Sequence, residues 1–495
     1  MTEFELKLEI PSHALRRVAA AMREGKVTRQ RLHARYFDTE DGALAKHGLV
    51  VRMRKEGRHW VQTAKGPSDG LLERLEHNVE IAAPASGDIP AVDLARHVGT
   101  PVGKKIFQAL KRKTHETPPM LVLLYEVDVV RAKRSVKFAD SVVEVAIDQG
   151  RVVSGARSCV LRELEVELKH GKPEQAVQFA RNWCAQYGLW LSSITKSMKG
   201  QGLRSDRSSG SAATATAPEF DRRANGTQIA MAALQSCLKQ VLANASAVSD
   251  GSVDPEPIHQ LRVGIRRLRT AMRELQPLVE GMDPAWELPF VEAFRDLGRQ
   301  RDDKHLALSL QPRIEAAGGP HVDTQRVVAD IPEPRNVVRS PAFQDALFCL
   351  IGFVHGAESG NDSPTHAMTK KVLRKRLKKL RAQIVKDGTQ FLSLDETRQH
   401  RVRKRVKRLR YLTEFCAPLF SARRTKAFVS ALHPVQDALG LYNDELIALE
   451  AYRRLANEDQ QAWFGVGWLS ARRIPNASVC LHQLESFARV RPFWE

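Results

Sequence analysis

The chain opens on a strict alternation. In TEFELKLE the residues Glu3, Glu5 and Lys7 alternate with Phe4, Leu6 and Leu8, and in a strand that period sends charge to one face and apolar side chains to the other. The pattern returns as Glu163, Glu165, Glu167 and Lys169 interleaved with Leu164, Val166 and Leu168, within a strand-like run over residues 160–169. Between these ends lie further segments of strand character at residues 31–39, 48–56, 59–66, 73–81, 121–138 and 141–148, bounded by turn residues. Helical patterns at 14–24, 101–112 and 173–187 interrupt or follow them. The expected domain is antiparallel β with accessory helices. Many strands repeat the two-faced pattern: Arg52 and Arg54 oppose Val51 and Met53, Thr63 shares a face with Lys65, Arg74 with Glu76, Asn78 and Glu80, and Arg131 with Lys133. A one-sided sheet with its polar face in solvent accounts for any single strand. Repetition along the whole series also fits a closed barrel with a charged lumen and helices over its apolar outside.

The period then changes. Residues 203–226 are Ser, Ala, Thr and Gly with scattered Arg, the composition of a flexible linker. Beyond them residues 228–247 form an amphipathic helix, and Asp254-Pro255-Glu256-Pro257 opens the next. That helix carries His259, Arg262, Arg266 and Arg269 as one stripe and Leu261, Ile265, Leu268 and Met272 as another. From residue 400 the arrangement repeats, with His400, Arg403, Lys407 and Arg410 over Val402, Val406 and Leu409. A third basic helix at 370–381 sets Lys371, Arg374, Lys378 and Arg381 beside Leu373, Leu377 and Leu380. Like charges at i,i+4 cost a few tenths of a kcal/mol each, and few acids relieve them here. Such density points to an anionic ligand several phosphates long.

Length and charge narrow this picture. A chain of 495 residues exceeds a single core, which gives domains at 1–202 and 227–495 around the linker. The formal charge of +20 predicts a polyanionic partner, and charge alone does not choose among nucleic acid, anionic lipid and polyphosphate. No run approaches the roughly 18 apolar residues of a membrane span. Glu3, Glu5 and Glu9 stand where a secretory signal has a basic start and an apolar block, and the six cysteines include no C-x-x-C pair. These features predict a cytoplasmic protein without structural zinc and without a membrane partner. Carboxylates spaced by two along a strand repel one another unless a cation lies between them, and a hard divalent ion such as Mg²⁺ meets that need. Among lesser candidates, Glu76 and Glu144 read equally as lumen residues or as partners of a neighbouring Arg. Asp38 reads as the organiser of a turn, His33, His47, His59 and His77 as surface residues, and Tyr36 and Trp60 as packing.

The ordered set formed by the E-x-E-x-K opening, YFDTEDGALAKHGLVVRMR (36–54), Thr63-Ala64-Lys65, VEVAIDQG (143–150), ELEVELKHG (163–171) and Thr195-Lys196-Ser197 resembles the CYTH family, the triphosphate tunnel metalloenzymes. The resemblance implies an eight-stranded antiparallel tunnel that hydrolyses or rearranges triphosphates with Mg²⁺ or Mn²⁺. It implies Glu3, Glu5, Glu163, Glu165 and Glu167 as metal ligands, Lys7, Arg52, Arg54, Lys65, Arg131 and Lys196 as the triphosphate cradle, and Glu3, Glu5 and Lys7 in catalysis. The paired H-x-x-R-x-x-x-[RK]-R-L-R repeats, with Arg301-Asp302, Gln436-Asp437-Ala438-Leu439-Gly440 and Asn443-Asp444, resemble the CHAD domain. That likeness implies two helical bundles related by a pseudo-twofold axis around a basic groove for inorganic polyphosphate, with His259, Arg262, Arg266, Arg269, Arg374, Lys378, His400, Arg403, Lys407 and Arg410 as contacts. The expected protein is an inorganic triphosphatase with a polyphosphate-binding second domain. The alternatives are a thiamine triphosphatase, an adenylate cyclase, or a non-catalytic binder of polyphosphate or nucleic acid. Few aromatics interleave the basic helices, which disfavours single-stranded nucleic acid.

Overall fold

The structure is a computed structural model that describes residues 2–57, 59–68, 70–82, 89–111, 120–206, 210–305, 309–323, 332–357 and 363–495. Its first eight strands are β1 (Thr2–Glu9), β2 (Thr28–Asp38), β3 (Val50–Glu56), β4 (His59–Pro67), β5 (Glu73–Ile81), β6 (Val122–Phe138), β7 (Ser141–Ser154) and β8 (Arg157–His170). They pair in the order β5-β4-β3-β2-β6-β7-β8-β1, a short β9 (Trp190–Leu191) adds to β1, and β1 also pairs with β5. That last pairing, with Glu3 opposite Arg74, closes the sheet into an antiparallel barrel.

Closure decides between the two readings of the alternation. One face of every strand now points into a lumen, and much of the other lies under helices. The outward residues Leu6, Leu8, Val143, Val145, Ile147, Leu164 and Val166 are fully buried. Helix α1 is Leu15–Ala21, α2 is Pro101–Ala109 and α3 is Pro173–Tyr187. Helix α2 covers Leu49, Val51 and Ala64 with Val102, Ile106 and Phe107. The cover is incomplete: the outer face of β2 and β6 is polar, carrying Arg31 paired with Asp128 and Arg35 paired with Glu126. Nor is the lumen charged throughout. Leu32, Ala34, Tyr36, Tyr125, Val127, Val129, Val152 and Leu161 share the inward parity and fuse into one apolar cluster, so charge occupies only part of the interior. Helix α4 (Lys196–Ser205) contributes Leu203 to that cluster. A Cβ on its Gly200 would fall 2.2 Å from the Tyr125 ring, so only glycine permits this approach.

Asp38 at the end of β2 shapes the next turn as expected. Its Oδ1 accepts from Thr39 N at 2.7 Å and Leu44 N at 2.9 Å, and its Oδ2 accepts from Ala45 N at 2.9 Å. Asp38→Ala strands these donors under a side chain only 4% exposed, so unfolding in urea is expected to register a loss of about 2–4 kcal/mol.

The remaining helices are α5 (Gly226–Ser249), α6 (Glu256–Leu275), α7 (Glu287–His305), α8 (Gln311–Ala316), α9 (Pro334–Arg339), α10 (Pro341–Gly356), α11 (His366–Gly388), α12 (Glu396–Cys416), α13 (Ala422–Leu455) and α14 (Ala462–Ala488). The apolar stripes read from sequence are buried: Ile265, Leu268, Leu373, Leu377, Val402, Val406 and Leu409 are each at most 1% exposed. Among the described residues, no helix is long and apolar enough to cross a membrane.

Two compact units emerge. One comprises Met1–Thr214 with Leu238–Leu261 and Val338–Gly356, the other Ala215–Cys237, Arg262–Val337 and Ala357–Glu495. The barrel's unit therefore takes in chain from beyond residue 202. Helix α10 packs on α3, where Arg181 forks onto Asp345 at 2.6 and 2.9 Å, and Gln344 accepts from Leu191 N at 2.9 Å. Within the stretch read as a linker, Ala213 exchanges two hydrogen bonds with the Asn244 side chain, at 3.0 and 2.8 Å. In the second unit Thr216 O accepts from Ser236 Oγ at 2.7 Å and Arg267 at 2.9 Å. The second unit's core joins α8, α13 and α14 through Ile314, Tyr452, Leu455 and Leu469.

Candidate functional site

Strand register assembles the charged part of the lumen. Lys7 lies opposite Glu165 and Glu5 opposite Glu167 across β1 and β8. Asp148 lies opposite Glu163 across β7 and β8, Arg131 opposite Asp148 across β6 and β7, and Lys65 opposite Glu76 across β4 and β5. The result is a cavity of about 780 Å³, lined by Glu3, Glu5, Lys7, Arg52, Arg54, Lys65, Arg131, Glu165, Glu167 and Lys196 among others. Every residue expected in the first site lines it except Glu163, which is fully buried behind Lys196. Glu76 and Glu144, ambiguous in sequence, both line it, as do His77 and Tyr36. Trp60 does not. Nine lining residues are Lys or Arg and six are Glu, so cations and anions both find partners.

The acids fall into two groups. Glu3 faces Lys65 Nζ at 3.0 Å, and Lys65 also reaches Glu76 at 2.5 Å. Burial, then a hydrogen bond with Glu76, pushes Glu3 up to about 8, while Glu76 is held low. Glu5 is raised by burial and by the charge of Glu165. The second group is tighter: oxygens of Asp148, Glu163 and Glu165 lie within 4.8 Å of one another. Burial opposes the charge on Glu163, but Lys196, Lys7 and Lys199 outweigh it and hold Glu163 near about 2. Glu163 Oε1 accepts no hydrogen bond among the described residues, with Lys199 Nζ 3.4 Å away.

Hard carboxylate oxygens converging in a shielded pocket suit Mg²⁺ or Mn²⁺. The residues present therefore fit a divalent ion, with Asp148, Glu163 and Glu165 as its converging donors and Glu3, Glu5 and Glu167 elsewhere on the same wall. Sequence reasoning misses Asp148. Its signal is the inward parity shared with Glu144, masked because Ala146 stands between them.

The bases divide by constraint. Arg131 forks onto Asp148 at 2.7 and 2.6 Å and also contacts Glu165. Lys7 Nζ donates to Ile194 O at 2.8 Å, and burial lowers its pKa. Burial and the neighbouring Arg52 bring Arg54 down to about 10.

The second unit holds a different cavity, of about 510 Å³, lined by Arg262, Arg266, Arg269, Arg273, Arg295, His400, Arg403, Lys404, Lys407 and Arg408 with Phe294 and Tyr411. Among the described residues that line it, nine are Lys or Arg and none is acidic. Arg262 donates to Phe294 O at 3.0 Å and stacks over that ring. Arg269 and Arg273 are anchored by Glu287 at 2.7 and 2.6 Å. Burial and the charges of Arg269 and Arg273 push Lys404 down. Of the expected contacts, Arg262, Arg266, Arg269, His400, Arg403 and Lys407 meet here, whereas His259, Arg374, Lys378 and Arg410 do not line the cavity. Arg410 instead donates to Glu414 at 2.7 Å and Gln436 at 2.8 Å. The side chains of Arg301 and Asp302 lie outside the described residues.

Comparison with known proteins recognises two domains. Residues 1–200 match the CYTH domain and residues 232–453 the CHAD domain. An inorganic triphosphatase of Haemophilus influenzae is 27% identical over 171 residues, 33% of this chain and 44% of that protein. The chain thus spans under half the length of this relative. The CHAD domain of the plant Ricinus communis is 25% identical with a TM-score of 0.46, covering 56% of this chain and 96% of that one. HpAC1 of Hippeastrum, described as having a dominant triphosphatase activity, is 15% identical with a TM-score of 0.28, covering 41% of this chain and 96% of that one. In one chain, residues 1–200 are a CYTH domain and residues 232–453 a CHAD domain.

Proposed function

We propose that the barrel hydrolyses inorganic triphosphate to pyrophosphate and phosphate with Mg²⁺ or Mn²⁺, and that the helical domain over residues 227–495 binds inorganic polyphosphate. The observation that carries the first half is the mixed lumen, in which nine bases and six acids face one cavity. Phosphoryl transfer needs positioning and charge neutralisation more than covalent help. Lys7, Arg52, Arg54, Lys65, Arg131 and Lys196 would hold the phosphate oxygens, the arginines by two-pronged contact and the lysines as point charges. Asp148, Glu163 and Glu165, with Glu3 and Glu5, would hold the metal. When bound, the metal neutralises phosphate charge and acidifies an attacking water. Inorganic triphosphate is favoured over thiamine triphosphate and ATP because Tyr36, an aromatic ring at the lumen, is only 4% exposed and already stacked on Tyr125. The second half rests on the nine Lys and Arg side chains, with no acid among the described residues, that line the second cavity, which suits an anion.

Phosphate release from triphosphate, ATP and thiamine triphosphate, with Mg²⁺ or Mn²⁺ and with Glu3→Ala and Glu5→Ala as controls, tests the enzyme reading. Metal-dependent release is expected, fastest from inorganic triphosphate and at least a hundredfold slower in either variant. No metal-dependent release from any of the three substrates would remove the reading.

A further inference from the structure

Lys196 already stands where a cation would make its contacts. Its Nζ lies 2.8 Å from Asp148 Oδ2, 2.8 Å from Glu163 Oε2 and 2.5 Å from Glu165 Oε1. These three carboxylates are the ones whose oxygens converge. An ammonium and a divalent ion cannot share the same oxygens at these distances, because their like charges repel at close range. We infer that Lys196 is a displaceable internal counter-ion, which keeps divalent metal off Asp148, Glu163 and Glu165 until a phosphate chain in the lumen draws its ammonium away. This rests on the triphosphatase reading and adds to it an order: phosphate and metal bind cooperatively, each raising the affinity of the other.

The neighbouring base is less suited to that role. Arg131 grips Asp148 with two donors at 2.7 and 2.6 Å, from a position directly across the strand pair. Lys196 is carried not by a strand but by α4, as its first residue. Its backbone is fixed independently of its side chain, since Thr195 caps the helix by accepting from Met198 N at 3.1 Å. The four-carbon stem can therefore swing while the helix stays in place. The side chain also lines the cavity, so a phosphate there is within its reach. Lost ion pairs with the carboxylates are replaced by pairs with phosphate on one side and metal on the other.

Mn²⁺ binding to the full chain, read by electron paramagnetic resonance, tests this directly. Without phosphate, Lys196→Met is expected to bind Mn²⁺ at least tenfold more tightly than the wild type, and Lys196→Gln to behave alike. Lys199→Met removes the same charge beside Glu163 without vacating the carboxylate centre, and is expected to change affinity less than threefold. Imidotriphosphate, a triphosphate analogue bridged by nitrogen, is expected to raise the wild-type affinity about tenfold after subtraction of Mn²⁺ held by the analogue alone. That gain disappears in Lys196→Met. Equal affinity in wild type and Lys196→Met, or equal gains in Lys196→Met and Lys199→Met, overturns the lysine's role while phosphate release by the wild type leaves the enzyme reading standing. Absence of Mn²⁺ binding in every protein, together with absence of phosphate release, overturns both. Circular dichroism checks that each variant is folded.

Discussion

Glu165→Gln is expected to lower kcat/KM for triphosphate about a thousandfold, equivalent to about 4 kcal/mol of transition-state stabilisation, while leaving the barrel folded. The two effects separate because of how the network is shared. Glutamine keeps the shape of the side chain but loses the charge that a divalent ion requires. The bases it leaves behind keep partners: Arg131 retains its fork onto Asp148, and Lys196 retains Asp148 and Glu163, each at 2.8 Å. Loss of the charge also relieves Glu5, whose proton affinity is raised by burial and by Glu165. Urea unfolding is accordingly expected to show a loss below about 2 kcal/mol. Asp148→Ala is the contrast. It removes the two-pronged partner of Arg131, which keeps only its contact with Glu165, and one partner of Lys196 at once, and breaking a buried ion pair of that kind costs about 3–5 kcal/mol. Activity of Glu165→Gln within tenfold of the wild type would show that Glu165 does not hold the metal.

The same residues show what could and could not be read beforehand. Alternation places Glu3, Glu5, Lys7 and Glu165 on one face of their strands because strand parity is a local property. Whether that face meets solvent or a lumen depends on β1 pairing with β5, a contact between strands far apart in sequence that no local pattern encodes. Asp148 is hidden for a related reason: the acid that ends VEVAID, separated from Glu144 by three apolar residues, gains meaning only when Arg131 and Glu163 flank it across two ladders. Lys199 illustrates the limit again. Its pairing with Glu9 at 2.7 Å joins a helix to the first strand, and neither segment signals the other. In the helical half, spacing of three and four identifies the basic stripes but not which of them face each other. Arg266 and Arg403 meet across one cavity, while Arg374 and Lys378 project from the exposed side of α11. Helix α10 falls within the second domain expected over 227–495, yet it belongs to the barrel's compact unit.

That distinction between the cavity and the exposed helix fixes the second large effect. Replacing Arg266, Arg403 and Lys407 together by glutamine is expected to weaken polyphosphate binding more than a thousandfold, measured on the full chain by fluorescence anisotropy. Each charge-assisted hydrogen bond to phosphate contributes about 1.5–3 kcal/mol, so loss of three exceeds the roughly 4 kcal/mol of a thousandfold change. These positions line the cavity from both α6 and α12; Arg266 also stacks over Phe294 and Arg403 lies 3.9 Å from Asp444, so circular dichroism checks that the variant is folded. Arg262 holds the Phe294 carbonyl, and Arg269 and Arg273 hold Glu287, so their loss would confuse folding with binding. Glutamine is used instead of glutamate because a buried carboxylate would carry its own desolvation cost. Arg374→Gln with Lys378→Gln provides the comparison, since both side chains lie outside the cavity and their loss is expected to cost less than tenfold. Raising salt from 0.05 to 0.5 M, values chosen to shorten the screening length to roughly a third, is expected to weaken the wild type steeply and the triple variant little. Equal losses in the two sets of variants would move the polyphosphate site from the cavity to the exposed face of α11.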